Sequence, residues 1–457
     1  MPTVTEQMAR WASDLTFEDL TPQAVDAAQR FLYDSLGCAL GGYQMHDVKI
    51  YLRHAQELGG NGVCTIVGAG TKSNPVIAAL VNALMIRAMD YNDIYWKQDP
   101  SHPSDLIPAA TTLAERDHRS GRDLITAIVL GYEIEMRLCE FAFPGIRERG
   151  WHHATLTAYA APMVAGWMLG LSWQQMQHAI GIAACHHFTL GAAVAGKLTM
   201  MKNTVDPMAT QAGVDAAMLA QLGYTGPENV LDGKEGMLHC LGPDFKLNIL
   251  TDGLGQSFRI GQCSMKSYPI EALMHSPLSA TLHLVKTHRL KAEDVKEVLI
   301  ESIARAADIL SDPAKYDPQS KESADHSLPY CIAAALSEGR VTSLEFTEEK
   351  LWDQRLRAQM RKVKVVASAE FEKAFPAKQC ARVTITTQDG RKLSHQVDVP
   401  KGDPRDPMSV EELDVKFNAL AEPVMTRKRK EELKSAVFNL EKLDDCAKLM
   451  ALTVSDR

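Results

Sequence analysis

The chain has 457 residues, 46% of them apolar and 23% charged, enough to bury a large core and to build two domains. Its net charge of −8 and pI near 6.0 offer nothing that draws phosphate, which excludes nucleic acid and acidic membrane surfaces as principal partners. The nine cysteines stand singly and are odd in number, a pattern that fits a reducing compartment and argues against a disulfide framework, a structural zinc or an iron-sulfur cluster.

The first residues, MPTVTEQMARWASDL, are amphipathic and carry acids, so they read as neither a signal peptide nor a membrane anchor, and the expected location is cytoplasmic. No stretch reaches the eighteen or so apolar residues of a membrane span. Thr21-Pro22 sets a cap and a first-turn proline before Val25, Ala28, Leu32 and Leu36, and Asn74-Pro75 repeats the device before Val76, Leu80 and Leu84. Ser120 with Asp123 reads as a capping box ahead of Ile125, Ile128 and Val129. Segments 153–170 and 205–222 are rich in Ala and Gly, which suits buried helices in close approach, with Gly170 and Gly223 as terminators.

Beyond residue 260 the period changes. Val295 to Ile303 and Lys362 to Val366 read as strands, Ser323 to Leu336 as a helix, and RVTITTQDGRKLSHQVDV as a hairpin turning at Asp389-Gly390. After KGDPRDP, Ser409 and Glu412 form another capping box and the chain ends in helices, with the run Arg427 to Lys430 a solvated face. The expected fold is mainly α with a second α+β domain: a large all-helical domain made of both chain ends, residues 1–264 and 401–457, interrupted by a smaller α+β domain over 265–400.

Chemistry concentrates first in MDYNDIYWKQDPSHPSD, residues 89 to 105. The helix begun at Pro75 ends near Asp90 and the next begins at Ser104, which leaves His102 just before a helix N-terminus, where free N–H groups favour an anion and lower a histidine pKa. Asp90 or Asp93, folded back, can orient the imidazole. The competing readings are a polar loop over packed Tyr91, Tyr95 and Trp96, and a magnesium-diphosphate site, which needs a second acidic motif that the sequence lacks.

GWHHAT brings His152 and His153 to the start of an Ala-rich helix, where adjacent side chains point to different faces, so at most one of the two is expected to serve the same pocket, against a capping or core role for each. In KLTMMKNTVDP, Lys202 precedes a helix start at Asp206-Pro207 and can clamp a carboxylate. CSMKSYPIEALMHS carries Lys266 and His275 at the expected domain boundary, and ESADHSLPY carries His326 and Tyr330. His186, His187, His283 and His288 lack evident partners and read as structural.

Taken in order, DYND, HPSD, GWHHAT, MMKN, GYTGPENVLDGKEG, KSYP and DHSLPY resemble the 2-methylcitrate dehydratase and cis-aconitate decarboxylase superfamily, MmgE/PrpD. The likeness is collinear from DSLGCALGG near residue 34 to about residue 340, and its wording sits closer to the dehydratases. The resemblance implies a homodimer that uses no cofactor or metal, a small tricarboxylate or dicarboxylate substrate, lyase or isomerase chemistry and a place in propionate metabolism. It assigns Asp90, His102, His152, Lys202 and Lys266 as catalytic, and Asp93, Ser104, His275 and Tyr330 as substrate-binding, with Tyr330 closing the site from the smaller domain.

Carboxylates held by Lys202, Lys266 and His275 would acidify the neighbouring C–H, while His102, oriented by Asp90, and His152 share proton transfer. Which histidine is acid and which is base stays open at this point. Two positions depart from the family wording, Ile94 after the second aspartate and Leu106 after HPSD. A decarboxylase-like lyase and a non-catalytic carboxylate-binding homologue are the alternative readings.

Overall fold

The start signals work through side-chain caps. Thr21 Oγ1 accepts from Ala24 N at 3.2 Å, Asn74 Oδ1 accepts from Ile77 N at 3.0 Å, and the Ser120–Asp123 and Ser409–Glu412 boxes are both closed. The computed structural model describes residues 2–60 and 62–457. Two compact units emerge: Met1–Gly196, Met200–Cys263 and Ser409–Arg457 form one, and Lys197–Thr199 with Ser264–Met408 form the other.

The first unit is largely helical. Its elements are α1 (Val4–Asp14), α2 (Pro22–Gly42), α3 (His46–Leu58), α4 (Pro75–Arg87), α5 (Ile107–Arg116), α6 (Gly121–Phe141), α7 (Ala154–Met168), α8 (Trp173–His186) and α9 (Met201–Gln221), with the two-residue ladders β1 (Cys64–Thr65) on β2 (Lys72–Ser73) and β3 (Tyr95–Trp96) on β4 (Pro100–Ser101). Helix α9 packs against α7, α4 and α8, and α4 against α2. Small residues set these approaches: a Cβ on Gly213 of α9 would lie 2.4 Å from Cβ of Ala161 in α7, and one on Gly42 would lie 2.0 Å from the carbonyl oxygen of Met85.

The expected start of α9 at Asp206-Pro207 is corrected, because the helix already runs from Met201 and carries Pro207 inside it. Pro207 forfeits one ladder bond, and the longer helix puts Lys202 and Asp206, four apart, on one face. The C-terminal helix Val410–Ala421 packs on α2. Its buried Lys416 lies 2.7 Å from Asp34 Oδ1 and donates to the carbonyl oxygen of Tyr91 at 2.7 Å.

The second unit holds a four-stranded sheet of order β6-β5-β7-β8. Strand β5 (Val295–Ser302) pairs in parallel with β6 (Val363–Ala367) and antiparallel with β7 (Ala381–Thr387), which pairs antiparallel with β8 (Lys392–Val397). Ala381, Val383, Ile385 and Thr387 are the buried alternate residues of β7. Gly390 takes φ +87° in the hairpin turn, the region where a Cβ is penalised. The helix expected over Ser323–Leu336 is two, Lys321–Ala324 and Leu328–Glu338. Pro329 suits a first turn and not an interior, so the chain restarts at Ser327, whose Oγ accepts from Tyr330 N at 3.1 Å.

Candidate active site

Helix α4 is apolar apart from Asn82 until its last residue, the buried Arg87. Asp90 stops the helix with φ +52°, an αL conformation that aspartate tolerates better than most residues. The turn folds its carboxylate back to within 2.5 Å of the Arg87 guanidinium. Arg87 Nε also lies 3.7 Å from Asp206 and 3.8 Å from Asp105. Burial pulls the Arg87 pKa down, but the three carboxylates outweigh it and hold the guanidinium firmly charged. Sequence reading passed over Arg87; its signal was a lone charge closing the otherwise uncharged, largely apolar run PVIAALVNALMIR.

Between Asp90 and His102 the chain makes a short hairpin, Tyr95 opposite Ser101 and Trp96 opposite Pro100. His102 follows it directly and precedes a 3-10 turn over Pro103–Leu106, with α5 beginning only at Ile107. His102 Nδ1 sits 2.6 Å from the carbonyl oxygen of Asp93. A carbonyl only accepts, so Nδ1 carries the proton and the lone pair of neutral His102 is on Nε2. The group that orients the imidazole at Nδ1 is therefore the Asp93 carbonyl, where the sequence reading named the Asp90 carboxylate.

Asp93 and Ser104, expected to bind substrate, brace each other. Asp93 accepts from Ser104 N at 3.0 Å and from Ser104 Oγ at 2.6 Å, and Cys263 Sγ lies 3.6 Å from its Oδ2. Asn92 Nδ2 donates to Ser104 Oγ at 3.0 Å. Burial pushes the Asp93 carboxyl up to about 6 against the hydrogen bonds from Ser104, which lower it. The pair closes the loop that carries His102.

His152 and His153 turn out to share one cluster. Both are buried with ring centroids 3.9 Å apart, and the His153 ring lies 5.6 Å from that of His102. Helix α7 starts only at Ala154, so the divergence of helical neighbours does not govern the two residues ahead of it. His152 Nδ1 accepts from Ala154 N at 3.1 Å, which puts the proton of neutral His152 on Nε2. Burial, followed by the neighbouring His153, holds its pKa well below the ordinary histidine value.

His153 Nε2 lies 3.2 Å from Asp206 Oδ1. Burial raises the Asp206 pKa, but His153, His152 and Arg87 outweigh it and keep Asp206 ionised. Burial and then Asp206 push the Asp105 carboxyl well above the usual carboxylate range, against Arg87, which lowers it. Among the described residues, His152, His153 and Asp206 form the group able to hold a metal ion, with ligand atoms within 4.8 Å of one another. Arg87 already sets a fixed positive charge against that carboxylate, which weakens it as a cation ligand.

Lys202, buried in the first turn of α9, brings Nζ to 3.4 Å from Asp90 Oδ1. Asp90, His102, His152 and Lys202 thus belong to one unit, joined there by Arg87, Asp105, Glu135, His153 and Asp206; of these five the sequence offered only His153, as the alternative to His152. Lys266, His275 and Tyr330 belong to the other unit. Lys266 is buried, and His275 opens the helix His275–His288 with its ring 5.6 Å from Tyr268. Tyr330 is fully buried and its hydroxyl donates to the carbonyl oxygen of Glu345 at 2.7 Å, a bond made within its own unit. Histidine 283, read as lacking a partner, stacks on His395 at 3.8 Å.

Residues 6–250 match the model of the MmgE/PrpD N-terminal domain, and residues 268–442 match that of the MmgE/PrpD C-terminal domain. The chain belongs to the MmgE/PrpD family. It is similar to cis-aconitate decarboxylase of Aspergillus terreus, 26% identical over 98% of this chain and 95% of the relative. Human cis-aconitate decarboxylase is 28% identical over 99% and 95%, and 2-methylcitrate dehydratase of Escherichia coli is 24% identical over 84% and 82%. As a MmgE/PrpD member the chain is an enzyme, a lyase. Both departures from the family wording are buried, and Leu106 Cδ1 lies 3.3 Å from where a Cβ on Gly131 of α6 would stand, so its side chain fills core against that helix.

Proposed function

We propose that this enzyme is a hydro-lyase that removes water from a small tricarboxylic acid in the manner of a 2-methylcitrate dehydratase, with His102 as the base. The observation that carries the reading is the pair of tautomers. His102 presents a lone pair at Nε2 because Nδ1–H is spent on the Asp93 carbonyl, whereas His152 presents Nε2–H because its Nδ1 accepts from Ala154 N. One imidazole takes a proton from the carbon beside a carboxylate; the other donates a hydrogen bond to the charge that develops. The imidazolium of His102 then returns the proton to the departing hydroxide, so that water leaves and the carbon-carbon double bond remains.

Lys202 is proposed to pair with a substrate carboxylate, supported by its burial beside Asp90. Lys266 and His275 are proposed carboxylate ligands on the strength of their family motifs. The homodimer and a role in propionate metabolism come from the same resemblance.

A second reading, decarboxylation of a cis-aconitate-like acid, is favoured by the longer alignments with the decarboxylases, 98–99% of this chain against 84%. There the carbon-carbon bond to a carboxylate breaks, carbon dioxide leaves, and a protonated His102 delivers its proton to the carbanion. Incubating the purified enzyme with 2-methylcitrate, citrate and cis-aconitate, while following alkene absorbance and carbon dioxide release, separates the two. Alkene formation from 2-methylcitrate without carbon dioxide supports the dehydratase. Carbon dioxide from cis-aconitate overturns it in favour of the second reading, and no turnover across the panel removes both.

A further inference from the structure

Glu135 lies in the middle of α6, fully buried, and belongs to none of the motifs that carry the family likeness. Its Oε1 accepts two hydrogen bonds from different parts of the chain. One comes from Ser101 Oγ, at the end of the short hairpin and directly before His102. The other comes from Thr157 Oγ1 at 2.8 Å, in the first turn of the helix that His152 and His153 precede. Oε2 is buried with no hydrogen-bond partner among the described residues.

A buried carboxyl with an unmet oxygen is expensive and is easily replaced by an apolar residue in a core that needs only packing. Here a single oxygen links the two segments on which the proposed proton-transfer groups stand. Each segment is otherwise short and irregular next to its histidine: His102 follows a two-residue strand, and His152 and His153 precede the helix. Without a common anchor the spacing of the imidazoles would depend on two independent turns, and a misplacement of about 1 Å can cost about a hundredfold in rate.

We propose that Glu135 is a positioning residue of the reaction, an anchor on α6 that holds the His102 loop and the His152–His153 turn in register through Ser101 and Thr157. The inference rests on the reading that His102 and His152 act together in proton transfer. It adds to that reading a residue that touches neither substrate nor the reacting atoms.

Four single variants of the full chain and one double variant test it: Glu135→Ala, Glu135→Gln, Ser101→Ala, Thr157→Val and the last two combined. Glu135→Ala is expected to lower kcat at least tenfold with KM within threefold of the unaltered enzyme. Glu135→Gln keeps an acceptor oxygen and should recover most of that loss. Ser101→Ala and Thr157→Val should each lose less than Glu135→Ala, and combining them should reproduce its loss.

A second measurement does not depend on the substrate. In histidine-labelled protein, with resonances assigned by His102→Gln and His152→Gln, Glu135→Ala should shift both the His102 and His152 imidazole signals. If no tricarboxylate is turned over at all, the function reading fails while these signals still decide the anchor. Turnover of Glu135→Ala within twofold of the unaltered enzyme, a loss that Glu135→Gln does not recover in a folded protein, or unmoved imidazole signals would each overturn the proposal.

Discussion

Lys202 Nζ stands 3.4 Å from Oδ1 of Asp90, with Arg87 2.5 Å from the same oxygen. Two cations thus meet one carboxylate oxygen in a buried place, and Lys202 is the one proposed to pair with a substrate carboxylate. Lys202→Met removes one cation and leaves the Asp90–Arg87 pair. The expected result is a tenfold or greater rise in KM for the tricarboxylate with an unchanged melting temperature, read from steady-state kinetics and thermal unfolding. An unchanged KM and kcat would take Lys202 out of the site.

His102→Gln keeps a polar group near the Asp93 carbonyl and loses the basic nitrogen. A general acid-base group contributes about a hundredfold to ten-thousandfold, so kcat should fall at least a hundredfold while the circular dichroism and melting profile stay those of the unaltered chain. Near-normal turnover would show that the base lies elsewhere.

Glu135 makes stability depend on pH with a definite sign. Burial pushes its carboxyl up to about 7, against hydrogen bonds from Ser101 and Thr157 and the nearby His153, which lower it, and with Asp206, which raises it. The folded protein holds this proton more tightly than the unfolded chain does, so stability falls as pH climbs from about 4.3, the unfolded glutamate value, through the folded value near 7, and is level above it. Glu135→Gln removes this dependence. The stability difference between variant and unaltered protein should move in the variant's favour by about 3 kcal/mol between pH 5 and 8, an order-of-magnitude figure from the size of the shift. Denaturant unfolding at several pH values measures it, and a difference independent of pH would contradict the assignment. Asp93, pushed up to about 6, adds a dependence of the same sign that both proteins share.

Tyr330→Phe separates the core role of this residue from the substrate contact that the family motif implies. Removing a hydroxyl that donates to the buried Glu345 carbonyl should cost about 1–3 kcal/mol of stability and leave kcat and KM within twofold. A tenfold loss of kcat with unchanged stability would return Tyr330 to the site.

Local signals were legible wherever one residue's chemistry decides the outcome. Asn74, Ser120 and Ser409 cap their helices as read, because a cap is made within three residues. The Asp389-Gly390 hairpin follows from the positive φ that glycine accepts. Period alone was less reliable at prolines. Pro207 was read as a helix start and sits inside α9, since burial against α7 and α4 outweighs one lost hydrogen bond.

By itself, the order of motifs determined the family, and the residue types determined that imidazoles and ammonium groups were available for carboxylate chemistry. Only the tertiary structure decided which atoms face which. The proton on His102 is placed by a carbonyl nine residues earlier, and that on His152 by a backbone N–H two residues later. Arg87, Glu135 and Asp206 enter the cluster from three different helices, α4, α6 and α9. A buried charge is tolerated only with partners, and partners brought together from separate helices leave no spacing in the sequence by which to find them.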